Sequence, residues 1–226
     1  MKNPDSTGMS SAGRSSAGMI KEVIYGRSSV RKFSDRPVPD ELLYQVIDAG
    51  RMSPSPTNSQ PWYFSIFSGK DIRELTEITC EEAKKIIVPG FREIALESAR
   101  IAAEAPHVIT AWNTKRFSNR LKNIEGLIGD DVRRDYERAE LVSIGCAVQN
   151  IWLMAHSLGL GMVWLMVNLS GSEKCMKKFG LSGELIAYLP IGYPLDGNNT
   201  AVNKKRKAIS DICSFYSPKE RIEADA

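Results

Sequence analysis

The chain has 226 residues, 42% hydrophobic and 25% charged, a balance of ordinary globular proteins that excludes global disorder and collagen-like repeats. Its 30 basic and 27 acidic residues leave a formal charge of +3, too even to point by itself to nucleic acid or an acidic membrane surface. Cys80, Cys146, Cys175 and Cys213 stand apart with no C-x-x-C pair, so neither a zinc site nor a redox dithiol is written, and they read as thiols in a reducing cytosol. Only His107 and His156 are available as imidazole ligands, which argues against a multi-histidine metal centre.

Residues 1–19 are rich in Ser and Gly, contain SSAG twice and lack the apolar run of a signal peptide; they are expected to be a disordered leader. Residues 20–216 are expected to form one domain and 217–226 a tail. Ile20, Val23 and Ile24 predict a short helix ending near Gly26. After a basic turn, Pro39, Asp40 and Glu41 suit the positive end of a second helix, with Leu42, Leu43, Val46 and Ile47 as its buried stripe. Pro54, Pro56 and Pro61 exclude a helix interior or a central strand over 53–61 and predict a stiff, polar loop. Trp62 to Ser68 alternates as a strand. Residues 72–87 and 91–105 read as two helices split by Pro89-Gly90, and His107 to Trp112 as a short apolar strand.

From Thr114 to Arg138 the chain is highly charged with weak periodicity, a surface helix or a mobile lid. Glu140 to Leu158 is predicted as the longest helix, apolar on most sides and ended by Gly159 and Gly161, as in a core or an oligomer interface. Leu141 to Val167 is interrupted by Gln149, Asn150, His156 and glycines, so it fails the test of roughly 18 unbroken apolar residues for a membrane span. Met162 to Asn168 and Glu184 to Ile191 read as strands with a helix around Glu173 to Phe179 between them. The interleaving predicts an α+β or mixed α/β class.

No G-x-S-x-G, Walker P-loop or H-E-x-x-H occurs. Gly159-Leu160-Gly161 lacks the third glycine of a dinucleotide fingerprint and follows a helix, so a Rossmann site is rejected. What remains is polar and basic. Arg27 and Arg31 flank Ser28 and Ser29, either as a solvated turn or as donors to phosphate oxygens and a polyol. Asn58 and Gln60 either stiffen a connection or pair with an imide edge. Lys204-Lys205-Arg206-Lys207 reads as a solvated face, a phosphate clamp or a nucleic-acid patch.

The order of these features resembles the nitroreductase family of FMN-dependent oxidoreductases. Four segments carry the likeness: Tyr25-Gly26-Arg27-Ser28-Ser29-Val30-Arg31-Lys32-Phe33, the Ser53 to Trp62 loop, Leu158-Gly159-Leu160-Gly161-Met162-Val163-Trp164-Leu165, and Pro190-Ile191-Gly192-Tyr193-Pro194 followed by Lys204 to Lys207. Together they run from about Ile20 to about Ile212. The resemblance implies an α+β, nitroreductase-like fold: a central mixed or antiparallel sheet flanked by helices, a long buried central helix, and a homodimer binding FMN at its interface. Carried over by position, Arg27, Ser28 and Ser29 hold the phosphate and ribityl chain, and Arg31 lies near the pyrimidine edge. Pro54, Ser55 and Asn58 line the ring from the partner subunit, Leu165 and Met166 pass N5 with their backbone, and Lys204 and Arg206 complete the phosphate clamp. Where the family often has glycine, or an acidic residue and glycine, Met166 and Val167 stand here and predict a narrower substrate face.

The implied activity is hydride transfer from NADH or NADPH through FMN to nitro, quinone or related small acceptors by alternating half-reactions, in a cytoplasmic enzyme without nucleic-acid or membrane partners. Reductive dehalogenation or ring oxidation on the same fold, and flavin binding without turnover, remain open alternatives. No catalytic side chain is assigned.

Overall fold

Helix α1 (Ser16–Gly26) starts where the Ser15 hydroxyl accepts the Gly18 N–H at 3.2 Å, so Ser16 to Met19 are helical and not part of a disordered leader. A computed structural model describes residues 15–127, 129–166, 169–195 and 205–216; the rest of the expected leader and the 217–226 tail lie outside the described residues. Helix α2 (Asp40–Arg51) follows Pro39, with Asp40 and Glu41 at its positive end. Leu43 and Val46 are buried, while Leu42 and Ile47 pack at the core's margin. The proline-rich loop contains one turn of 3-10 helix, Pro56–Asn58, before strand β1 (Trp62–Ser68).

Helices α3 (Gly69–Lys84) and α4 (Pro89–Ala103) pack against one another ahead of β2 (His107–Asn113). A 3-10 run, Ser118–Leu127, leads to α5 (Asp130–Ser157), which starts ten residues before the predicted boundary at Glu140. The added turns are mostly charged, with a narrow apolar line of Val132, Tyr136 and Ala139 whose Tyr136 ring stacks on Phe117. They are held by ladders of spaced charges: Arg133 with Asp130 and Glu137, Arg134 with Asp131, Arg138 with Asp135. The single strand expected from Met162 to Asn168 is instead two short ones, β3 (Gly161–Met162) and β4 (Leu165–Met166). Helix α6 (Leu169–Phe179) and β5 (Glu184–Gly192) complete the order.

The sheet runs β1-β2-β5, with β3 and β4 both pairing along the far side of β5, and every ladder is antiparallel. One isolated parallel bridge joins Ser29 to Met162. An irregularity opposite Ala111 and Trp112 leaves Ile186 unpaired, which puts Leu185 and Tyr188, three residues apart, on the same face.

Two cores sandwich the sheet. On one side α2 and α5 bury Leu43, Val46, Ile144, Val148 and Ile151 against Ile109, Leu189 and Ile191. On the other, Ile72, Leu75, Ile101 and Ala102 of α3 and α4 meet Val108, Trp112 and Tyr188, with Cys175 of α6 among them. The architecture is α+β, with a long central helix buried along most of its C-terminal half.

The edge of β3 depends on a missing side chain. A Cβ on Gly161 would lie 2.7 Å from Val30 Cβ and Cγ1, and Val30 is itself buried. Gly161→Ala is therefore expected to lose about 1–3 kcal/mol in urea unfolding through overpacking, and Val30→Ala in the same chain to restore part of that loss.

Candidate functional site

The turn after α1 is where the charged features gather. The Arg27 N–H donates to Val23 O and its backbone then turns extended, ending the helix. Its guanidinium carbon lies 4.2 Å from the centroid of the Trp152 ring on α5, a cation–π contact worth about 0.5–2 kcal/mol. Preceding it, Gly26 lies so close to α5 that a Cβ there would come within 2.7 Å of His156 Nε2. The Val30 N–H donates to Met162 O at 3.1 Å, and Ser29 bridges to the same residue. This run of backbone is thus clamped between α5 and β3.

Burial, and then the charge of Arg206, push the Arg27 guanidinium below its ordinary range. Two guanidiniums from opposite ends of the sequence therefore share one neighbourhood, and among the described residues neither has an acidic partner. Ser28 Oγ is buried beside them without a hydrogen-bond partner. A cluster of cations with an idle hydroxyl fits an oxyanion of more than one charge. Arg31 is exposed at the mouth of the turn; Glu97 on α4 is held below the usual carboxylate range chiefly by its hydrogen bond to Arg100, and also by Arg31's charge. Arg206 is exposed, and Lys204 lies outside the described residues.

The second feature is the loop 53–61. Asn150 Nδ2 on α5 donates to Ser53 Oγ at 2.8 Å, and the Gln60 N–H donates to Ser55 Oγ at 3.0 Å. Thr57, Asn58 and Gln60 take φ values of 50°, 54° and 46°, the left-handed region, and for a β-branched Thr this is strained. Such backbone costs on the order of 1–3 kcal/mol per residue and persists where the surroundings force it. Pro54 and Asn58 are exposed, and Ser59 is buried with an unpartnered hydroxyl.

The third is the β4 edge. Leu165 pairs with Tyr188 and Met166 with Ala187, so the short strand continues the β3 line from the point where the arginine turn is bridged. Val167 lies outside the described residues. Tyr188 keeps its phenolic proton through burial, and its hydroxyl lies 3.0 Å from Thr79 Oγ1, which leaves it a structural role.

Arg27, Ser28, Ser29 and Arg206 therefore come together, with β4 further along the bridged edge. Among the described residues no hydrogen bond joins the loop to them. The loop leaves α5 at Asn150 and the turn at Trp152, two residues apart and so about 200° around the helix, on opposite flanks. Trp152 and His156, one helical turn apart, form the shelf under the turn, and sequence reading gave neither a role; their spacing on one face was the available signal. No group of three or more His, Cys, Asp or Glu suited to a metal occurs among the described residues.

A separate apolar groove of about 810 Å³ runs between α1, α2 and α5, lined by Met19, Ile20, Tyr44, Met52, Leu153 and Met154 among others, and none of the predicted site residues borders it. No helix among the described residues is long and apolar enough to cross a membrane.

Comparison with known proteins gives the family of the chain. The model of the nitroreductase family matches residues 24–193. A Methanothermobacter thermautotrophicus protein, provisionally named an NADH dehydrogenase/NAD(P)H nitroreductase, is 28% identical over 185 residues, 80% of each chain. The nitroreductase CinD from Lactococcus lactis, solved with chloramphenicol, superposes with a TM-score of 0.70 at 19% identity over 88% of this chain and 100% of its own. The FMN-dependent nitroreductase NfnB from Mycobacterium smegmatis, solved with NADPH, gives a TM-score of 0.67 at 19% identity over 89% of this chain and 99% of its own.

The position of His156 has a pH consequence. Burial, then the charge of Arg27, lower its pKa from the ordinary 6.5, so the unfolded chain takes up the proton first. Stability is full above the unfolded value and falls as pH drops through it; His107, lowered by burial against an opposing effect of Asp40, acts in the same direction. Acidification from about pH 7.5 to about 5.5 should lower the melting temperature, and His156→Gln should shrink that drop. An undiminished drop in the variant would assign the acid sensitivity elsewhere.

Proposed function

Since the chain belongs to the nitroreductase family, we propose that it is an FMN-dependent oxidoreductase that draws on NADH or NADPH and reduces nitro, quinone or related small acceptors in alternating half-reactions. The observation that carries this reading is the meeting of Arg27 and Arg206 beside an idle Ser28 hydroxyl, a cradle suited to a phosphate dianion. When bound, FMN supplies hydride acceptance and donation at its ring, and the protein supplies placement and charge.

Each residue has a part in that placement. Arg27 and Arg206, with Lys204 beyond the described residues, balance the phosphate charge, and Ser28 and Ser29 offer hydroxyls to it and to the ribityl chain. Stacking on Trp152 keeps the Arg27 guanidinium from swinging into solvent. Arg31, at the open end, would neutralise negative charge on the pyrimidine edge of the reduced ring. The backbone of Leu165 and Met166 would run past the ring's reacting edge. No acid or base side chain is needed, since water can deliver the second proton.

Pro54, Ser55 and Asn58 would line the ring from the partner subunit of a homodimer. The attachment of their loop to α5 at Asn150, about 200° around the helix from Trp152, supports this reading. The apolar groove of α1, α2 and α5 would be the contact face: Met19, Ile20, Tyr44 and Met52 are each at least half exposed there. Contiguous apolar patches of this kind mark surfaces that meet a partner. Four cysteines without a disulfide fit a cytoplasmic location.

The purified protein is expected to be yellow and to oxidise NADH or NADPH when menadione or a nitroarene is added; a colourless chain that takes up no FMN overturns the reading. Arg206→Ala should weaken FMN about 10- to 100-fold, the loss of one charge-assisted hydrogen bond to phosphate. Sedimentation should give twice the chain mass, and Ile20→Glu with Met52→Glu should halve it and weaken FMN; a monomer that binds FMN with full affinity would remove the partner's contribution.

A further inference from the structure

Glu140 is fully buried on α5, and no cation pairs with it among the described residues. Four donors surround it. Its Oε1 accepts the backbone N–H groups of Phe117 at 2.7 Å and Ser118 at 3.0 Å, and its Oε2 accepts Asn113 Nδ2 at 3.2 Å and the Ser118 hydroxyl at 3.0 Å. A buried carboxylate without a counter-ion persists only where donors replace its water.

The network extends to the loop. Asn113 cannot turn its amide around, because its Oδ1 accepts the Lys115 N–H at 2.9 Å. The neighbouring Thr114 donates from its N–H and its hydroxyl to Pro61 O, at 2.8 and 3.0 Å. Phe117, seated by the same carboxylate, stacks on Tyr136 of α5 with ring centroids 4.3 Å apart. Loop 53–61 is therefore held to α5 at both ends, by Asn150 at Ser53 and through Thr114, Asn113 and Glu140 at Pro61.

We propose that Glu140 is a positioning residue: through Asn113 and Ser118 it sets the Pro61 end of the ring-lining loop and the root of the 114–127 segment, and thereby the acceptor side of the site. This rests on the flavoprotein reading above. The requirement is for four acceptor sites in one place, which a carboxylate meets and an amide does not. In Glu140→Gln the new NH₂ group would face the donor Asn113 Nδ2, and Ser118 Oγ could receive it only by turning its own proton to Lys115 O, 3.3 Å away.

Two measurements with different dependence test it. Lys115, Arg116, Arg120 and Lys122 are exposed in this segment, so trypsin reads its anchoring directly, with or without flavin. Glu140→Gln should raise the rate of cleavage there about tenfold, as expected for a buried donor left unpaired. In the FMN-loaded protein it should also alter the visible circular dichroism of the flavin and raise KM for menadione more than it changes FMN affinity, because the phosphate end lies on the other flank of α5. Ser118→Ala, which removes one donor and keeps the carboxylate, should move every readout in the same direction by less, and keeps the test open if Glu140→Gln fails to fold. Unchanged cleavage in both variants overturns the anchor. Faster cleavage with unaltered flavin dichroism and menadione KM overturns the positioning role. Wild-type protein that binds no FMN overturns the underlying reading, and the cleavage result still reports on the anchor.

Discussion

Two guanidinium groups repel, and here Arg27 and Arg206 are close enough for that repulsion to weaken the hold of Arg27 on its proton. The arrangement is sustained by contacts that do not neutralise charge: the Trp152 ring under Arg27, the clamp of Val30 against Gly161, and the bridge of Ser29 to Met162. A site so built stores electrostatic cost that an oxyanion would relieve. Affinity for such a ligand would then come partly from contacts made in folding, before anything binds.

Helix α5 is the member from which the rest is hung. Its inner face, through Ile144, Val148 and Ile151, carries the core. Asn150 and Glu140 hold the two ends of the proline loop, and Trp152 with His156 supports the turn after α1. The strained residues Thr57, Asn58 and Gln60 fit this view, since a loop pinned at both ends has little freedom to relax its φ angles.

The elements legible in the sequence were those with a period. Strand β1 coincides with its predicted bounds, although both of its faces are used: Trp62 and Phe64 pack on one core, Phe67 is buried in the other, and Ile66 is exposed. The first ten residues of α5 were legible only as one of two alternatives, a surface helix or a lid, because ion pairs outnumber the narrow line of Val132, Tyr136 and Ala139. The break between β3 and β4 was not legible. The basic turn and the proline loop announced themselves by composition. Glu140 did not: a glutamate at the start of an apolar run looks like a solvated helix residue, and only the fold brings Asn113, Phe117 and Ser118 around it.

The opposite-flank attachment of turn and loop has a genetic corollary. In a two-fold pair, each cleft would combine the turn of one copy with the loop of the other. A copy damaged only in its turn and a copy damaged only in its loop, once mixed, would then assemble one cleft with both lesions and one with none. Two alleles that are each inactive alone would complement one another in the same cell.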